Sequence, residues 1–176
     1  MAKLQWGMIG GGEGGQIGPA HRLGAGLDGR FEFAAGALDH RADAGRTYGQ
    51  RLSLVPVRSY GDWREMLEGE RGRYGRVDLV TVATPNATHF EIIKTFLEAG
   101  FHVLCEKPMT MTVEEGEEIV RLAERSGRIC ALNYGDTGYS LVWYMRAMVV
   151  RLVKAEFAHG HHADAGDAEN PRVRWR

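Results

Sequence analysis

Six residues near the start, Gly10-Gly11-Gly12-Glu13-Gly14-Gly15, hold the densest chemistry in the chain. Glycines spaced G-x-G-x-x-G let a backbone turn tightly and offer bare amide groups to a phosphate. Gly10 would make the turn, Gly12 would admit a pyrophosphate, and Gly15 would let the following helix pack closely. Glu13, Gly14 and Ile17 complete the candidate loop. Asp39 follows the last glycine by the interval expected of an acid that binds ribose hydroxyls, which favours NAD over NADP. Arg41 works against that preference, because a guanidinium can pair with a 2′-phosphate. Two further clusters are Thr84-Pro85-Asn86-Ala87-Thr88-His89, with Asn86 and His89 as polar candidates, and Glu106-Lys107-Pro108. A lysine at the second cluster could steady an alkoxide as hydride leaves.

Each of these residues has a plainer reading as well. The glycines could form a flexible turn that binds nothing, and Asp39 could be a simple helix cap. Lys107 could be a surface lysine paired with Glu106. What decides between them is the pattern of elements around them.

Leu4 to Ile9 reads as a strand and Ile17 to Leu27 as a helix, so the glycines join strand to helix, the context in which the motif carries meaning. Pro19 makes the first turn irregular or moves the helix start to near Gly18. Arg30 to Leu38 reads as a second strand, Ala42 to Leu52 as a helix and Val55 to Val57 as a minor strand. Asp62 caps a helix that turns Trp63, Met66 and Leu67 inward. The β-branched run Val77 to Ala83 suits a strand buried on both faces. It feeds the Thr84 loop and then a helix from Ala87 to Ala99. Phe101 to Cys105, the fifth main strand, delivers Lys107 to the same edge. Thr112 and Glu115 have capping-box spacing at the head of a helix reaching Arg125, and Arg128 to Leu132 is a further strand. Strands alternating with helices predict an α/β fold, a Rossmann-type doubly wound parallel sheet. In such a sheet, ligands lie beyond the carboxyl ends of the strands.

The 176 residues suffice for one domain or for one and part of another. Lys and Arg number 22 against 23 Asp and Glu, a balance that argues against nucleic acid or an anionic membrane as the main partner. No secretory signal or membrane-crossing stretch is read, and Cys105 and Cys130 lack metal-type spacing, so the expected setting is the cytoplasm with reduced thiols. His159, His161 and His162, with Asp164 and Asp167, crowd the tail, but no spacing there fixes a coordination geometry and no metal site is read.

Together, GMIGGGEGGQIGPAHR (Gly7 to Arg22), VATPNATH (Val82 to His89) and CEKPMT (Cys105 to Thr110) resemble the Gfo/Idh/MocA oxidoreductases. NYGDTGYS (Asn133 to Ser140) is a looser match. The resemblance implies an NAD(P)-binding Rossmann domain over residues 1–134. It also implies a substrate and oligomerisation domain, of which residues 135–176 are the incomplete beginning. The implied reaction passes hydride between the nicotinamide and a sugar or cyclic polyol hydroxyl. Glu106 is then expected beside the cofactor, Lys107 near nicotinamide and substrate, and Thr84 to His89 as a cofactor wall.

Members of that family are longer, and their second domain supplies an acid and a histidine that act on the substrate. Here Tyr139 to Val150 reads as that domain's first helix and Leu152 to Ala158 as its first strand. The tail from Gly160 to Arg176 has too little apolar content to finish a sheet. The expectation is therefore an oxidoreductase or its cofactor-binding half, acting as a homo-oligomer or with a complementing C-terminal domain. The alternative is a catalytically incomplete NAD(P)-binding module or fragment that needs a partner chain.

Overall fold

The computed structural model of the protein describes residues 2–160. Strand β1 (Leu4–Gly10) is followed by α1 (Ile17–Gly26), β2 (Phe31–Ala37), α2 (Ala42–Arg51) and α3 (Trp63–Glu70). Next come β3 (Leu79–Ala83), α4 (His89–Glu98), β4 (His102–Glu106), α5 (Val113–Ser126), β5 (Cys130–Asn133) and α6 (Ser140–Gly160). All strand pairs are parallel, in the order β2-β1-β3-β4-β5. The connections from β1 and from β3 leave in opposite directions, so the ends of β1 and β3 form the switch point of a doubly wound sheet.

Alternation along the strands divides the core. Ile9, Val80, Val82, Val103 and Cys105 pack with Met66 of α3, Ile92, Ile93, Phe96 and Leu97 of α4, and Ile119 and Leu122 of α5. Trp6, Met8, Leu38 and Leu54 form a second cluster with Ala25, Tyr48 and Leu79. Thr81 is buried in β3, and its hydroxyl accepts a 2.8 Å bond from the Trp6 indole. The run that reads as apolar on both faces thus contains one buried, satisfied polar group, while Asp78 near its start is exposed.

The caps are local. Asp62 accepts from the amides of Arg64 (2.7 Å) and Glu65 (2.9 Å) at the head of α3. Thr112 accepts from the Glu115 amide, while Glu115 reaches back one residue further than a standard box, to the Met111 amide at 3.0 Å. Gly127 closes α5 in the left-handed region.

Two expected strands are helical. Pro56 has no amide to give a ladder and its fixed φ suits a first helical position, so residues Pro56–Arg58 form a 3-10 turn. Only a single bridge, Gly36 to Ser59, joins that segment to the sheet. Leu152 to Ala158 continues α6. No glycine or proline interrupts residues 140–159, and Lys154, Ala155, Glu156 and Ala158 favour helix. Phe101 to Cys105 proves to be the fourth strand, because the Val55 segment contributes none.

Contacts divide the chain into two compact units, Met1–Asn133 and Tyr134–Arg176. In the second, a 3-10 turn (Gly135–Gly138) precedes α6, along which Leu141, Trp143, Tyr144, Leu152 and their apolar neighbours are exposed. Among the described residues, no helix is long and apolar enough to cross a membrane, and no cluster of His, Cys, Asp and Glu could hold a metal. The tail residues His161, His162, Asp164 and Asp167 lie outside the described residues, as does the side chain of His159.

Candidate functional site

The glycine loop leaves β1 where that strand pairs with β3, Gly10 standing opposite Ala83. Gly10 and Gly11 adopt positive φ (79° and 65°), and the Gly11 amide donates to the Ala83 carbonyl at 3.3 Å. A Cβ on Gly12 would collide with the Leu38 carbonyl at the end of β2. The loop is thereby wedged between the ends of β2 and β3.

The closest contact between loop and helix is made by Gly18 rather than by Gly15. A Cβ on Gly18 would strike the Gly11 carbonyl oxygen, whereas one on Gly15 would meet only the Gly12 carbonyl oxygen at 3.3 Å. The close-packing role expected of Gly15 therefore belongs to Gly18. Helix α1 starts at Ile17, with no side-chain cap and no acidic residue in its first turn. Pro19, at the third position, lacks an amide that would have had no helical partner in any case. Such an uncapped helix start has the chemistry to receive an anion.

Two arginines brace the loop from behind. Arg22 donates to the Gly11 carbonyl (3.3 Å) and to the Tyr48 hydroxyl of α2 (2.9 Å). Arg51 lies over the same Tyr48 ring and pairs with Glu13. The Glu13 carboxylate is thus held by α2.

A cleft of about 490 Å³ opens beside the loop. Its walls are Gly10, Gly11, Gly12, Glu13, Gly15 and Ile17 on one side, Leu38, Asp39 and His40 on another, and Thr84, Pro85 and Thr88 on a third. Trp63 and Ile92 also border it. The volume lies within the range of small-molecule and cofactor sites.

Asp39 Oδ1 accepts from the Arg41 amide (2.9 Å) and guanidinium (3.3 Å), and His40 Nδ1 lies 3.2 Å away. The Arg41 amide, then its guanidinium, hold the Asp39 carboxyl below its ordinary range. Oδ2 stands 3.6 Å from the place a Gly12 Cβ would occupy, so one carboxylate oxygen borders the cleft beside the bare Gly12 backbone. An acceptor next to a backbone without side chain is what a ribose and its adjoining pyrophosphate need, and the residues present fit a dinucleotide. Arg41 itself is turned to Asp39 and does not line the cleft.

Other candidates sit elsewhere. Gly14 lies outside the cleft wall, with positive φ and open space around it. Asn86 is exposed and does not line the cleft. His89 is fully buried: its Nδ1 lies 2.8 Å from the Pro108 carbonyl and its Nε2 2.9 Å from the Thr84 carbonyl. It ties the two loops to each other instead of facing a ligand.

Glu106, expected beside the cofactor, turns toward α1. Its Oε1 accepts from Asn133 (2.5 Å) and lies 2.8 Å from His21 Nε2, and its Oε2 accepts from the Lys107 amide at 3.3 Å. Burial pushes the carboxyl up, but Asn133, His21 and the Lys107 amide outweigh it and hold the group below its ordinary range. The Lys107 side chain is exposed and, among the described residues, forms no ion pair with Glu106. Gly18, His21, Arg22 and Asn133 were not among the candidates read from the sequence. The helical repeat offered one signal, since His21 shares a face of α1 with Ile17 and Ala25.

The thiols are inert by position. Burial pushes Cys105 up to about 12 and Cys130 to about 11, and both are free.

The described family "oxidoreductase family, NAD-binding Rossmann fold" (GFO_IDH_MocA) matches residues 4–134. An uncharacterized oxidoreductase of Bacillus subtilis, YfiI, is 40% identical over 98% of this chain and 46% of its own length. A levoglucosan dehydrogenase of Pseudarthrobacter phenanthrenivorans is 34% identical over 78% of this chain and 35% of its own. Among solved structures, an inositol dehydrogenase homolog of Azotobacter vinelandii, complexed with NADH and myo-inositol, superposes with a TM-score of 0.81. It is 42% identical and is matched over 85% of this chain and 39% of its own. The chain thus spans less than half the length of these relatives.

Proposed function

The chain belongs to the Gfo/Idh/MocA oxidoreductase family with its NAD-binding Rossmann fold, and from that premise we propose that it is the cofactor-binding part of a sugar or polyol dehydrogenase. In this reading residues 1–134 form the cofactor domain and residues 135–176 begin the substrate domain. The observation that carries the reading is the pairing of Asp39 Oδ2 with the bare Gly12 backbone beside an uncapped helix start. Asp39 accepts from ribose hydroxyls and repels a 2′-phosphate, so NAD is preferred over NADP. The amides of the loop and of the first turn of α1 receive the pyrophosphate, while Thr84, Pro85 and Thr88 wall its far side. The nicotinamide, when bound, accepts hydride from the substrate carbon or returns it. Lys107 stands at the end of β4 and favours the deprotonated oxygen of the alcohol by charge.

The proton of that alcohol needs an acceptor, and the substrate-binding half supplies it. The working unit in this reading includes such a half, in a homo-oligomer or with a complementing C-terminal domain. We place it in the cytoplasm, with a polyol of the myo-inositol type as the first substrate to try, since the Azotobacter relative binds one.

The test measures NAD reduction with myo-inositol and glucose for the chain alone and for the chain joined to the remaining half of a relative. The expected result is turnover in the joined protein, with Lys107→Ala lowering kcat at least about a hundredfold and NADH affinity under threefold. Equal loss of both would remove Lys107 from hydride transfer.

A further inference from the structure

Glu106 is the last residue of β4, and alternation turns its neighbour Cys105 to the α4–α5 side and Glu106 itself to the α1 side. Only 8% of Glu106 is exposed, and a carboxylate so placed requires donors. Three are present, each from a different stretch of chain: Asn133 at the end of β5, the Lys107 amide, and His21 in the second turn of α1. The His21 contact bridges elements 85 residues apart and passes over the end of β3, which lies between β1 and β4 in the sheet. The His21 and Glu106 side chains are 9% and 10% exposed, so water competes little for the bond.

The loop that carries Lys107 is therefore held on two sides. His89 fixes it through the Pro108 carbonyl, and Glu106 fixes it through the Lys107 amide. The second hold depends on α1, whose first turn forms part of the glycine loop. We propose that His21 is a positioning residue that ties the phosphate-binding helix to the strand end carrying Lys107. Its Nε2–H orients Glu106 Oε1, and the same carboxylate's Oε2 then orients the Lys107 amide. Placement of α1 and placement of Lys107 become one event, so the nicotinamide end of the cofactor meets a preset lysine. The inference rests on the proposed cofactor reading.

It is tested in the purified chain with His21→Ala and His21→Gln, because a Gln amide can reach the Nε2 position. Binding of NADH is compared with binding of ADP-ribose, which lacks the nicotinamide, and exchange of the Lys107 amide is followed in the cofactor-free protein by NMR. H21A is expected to weaken NADH about tenfold and ADP-ribose under about twofold, and to speed Lys107 exchange about tenfold, as loss of one charge-assisted bond predicts. H21Q should restore most of each. If H21A does not fold, H21N, whose amide reaches only the Nδ1 position, takes its place with the same expected split. Equal weakening of both ligands, unchanged exchange, or no recovery in H21Q would overturn the positioning role. A wild-type chain that binds neither ligand defeats the cofactor reading instead, and the exchange measurement alone then decides the role of His21.

Discussion

Asp39 does two jobs with two oxygens. Oδ1 closes a local turn by accepting from the Arg41 amide, and Oδ2 borders the cleft next to Gly12. Asp39→Asn keeps an acceptor for the turn and removes the charge that repels a 2′-phosphate. Its preference for NADH over NADPH, read from paired titrations, should narrow about tenfold. An unchanged ratio would transfer selectivity to Arg41 or His40. The position of Asp39 was legible in the sequence, because its distance from the glycines is set by one helix and one strand. The role of Glu106 was not. Its partners His21 and Asn133 lie 85 and 27 residues away, and no local period reports a contact across the sheet.

At the scale of elements, the glycines separate by what surrounds them. Gly18 packs against the Gly11 carbonyl, whereas Gly14 has a positive φ and empty space. Gly14→Ala should cost about 1–2 kcal/mol, the strain of a side chain in the left-handed region. Gly18→Ala should cost about 3 kcal/mol, because backbone must move apart, and should abolish NADH binding at concentrations that saturate the wild type. Denaturant melts and a binding titration of both variants check the order. Equal effects would mean that loop and helix are not wedged together. The motif itself announced strand, turn and helix, yet it does not say which glycine meets backbone. The minor strand expected at Val55 failed for a related reason: apolar residues promised a strand, and Pro56 withheld the amide a ladder needs. The strand expected at Leu152 failed because a short run of apolar residues has no period that separates strand from helix.

Across the whole molecule, several carboxylates are held below their ordinary range. Glu106 is kept there by Asn133 and His21 against the effect of burial, Asp39 by Arg41, and Glu65 by Arg46. A carboxyl with a depressed folded-state pKa contributes stability that is complete above its unfolded value. That stability is lost as pH falls through the folded value. The melting temperature should therefore fall below about pH 4.5, the ordinary range of a glutamate. Glu106→Gln should flatten part of that decline, leaving the share of Asp39 and Glu65. A slope identical to wild type between pH 3 and 6 would show that Glu106 is not held as the geometry requires. Trp63 lies on the wall of the cleft at the switch point and offers a signal for binding there. The most direct measurement titrates the folded chain with NADH and with NADPH and follows energy transfer from tryptophan to nicotinamide. Saturable transfer at lower NADH than NADPH is the predicted result. A folded chain that gives no saturable transfer with either would contradict the assignment of this cleft to a nicotinamide dinucleotide.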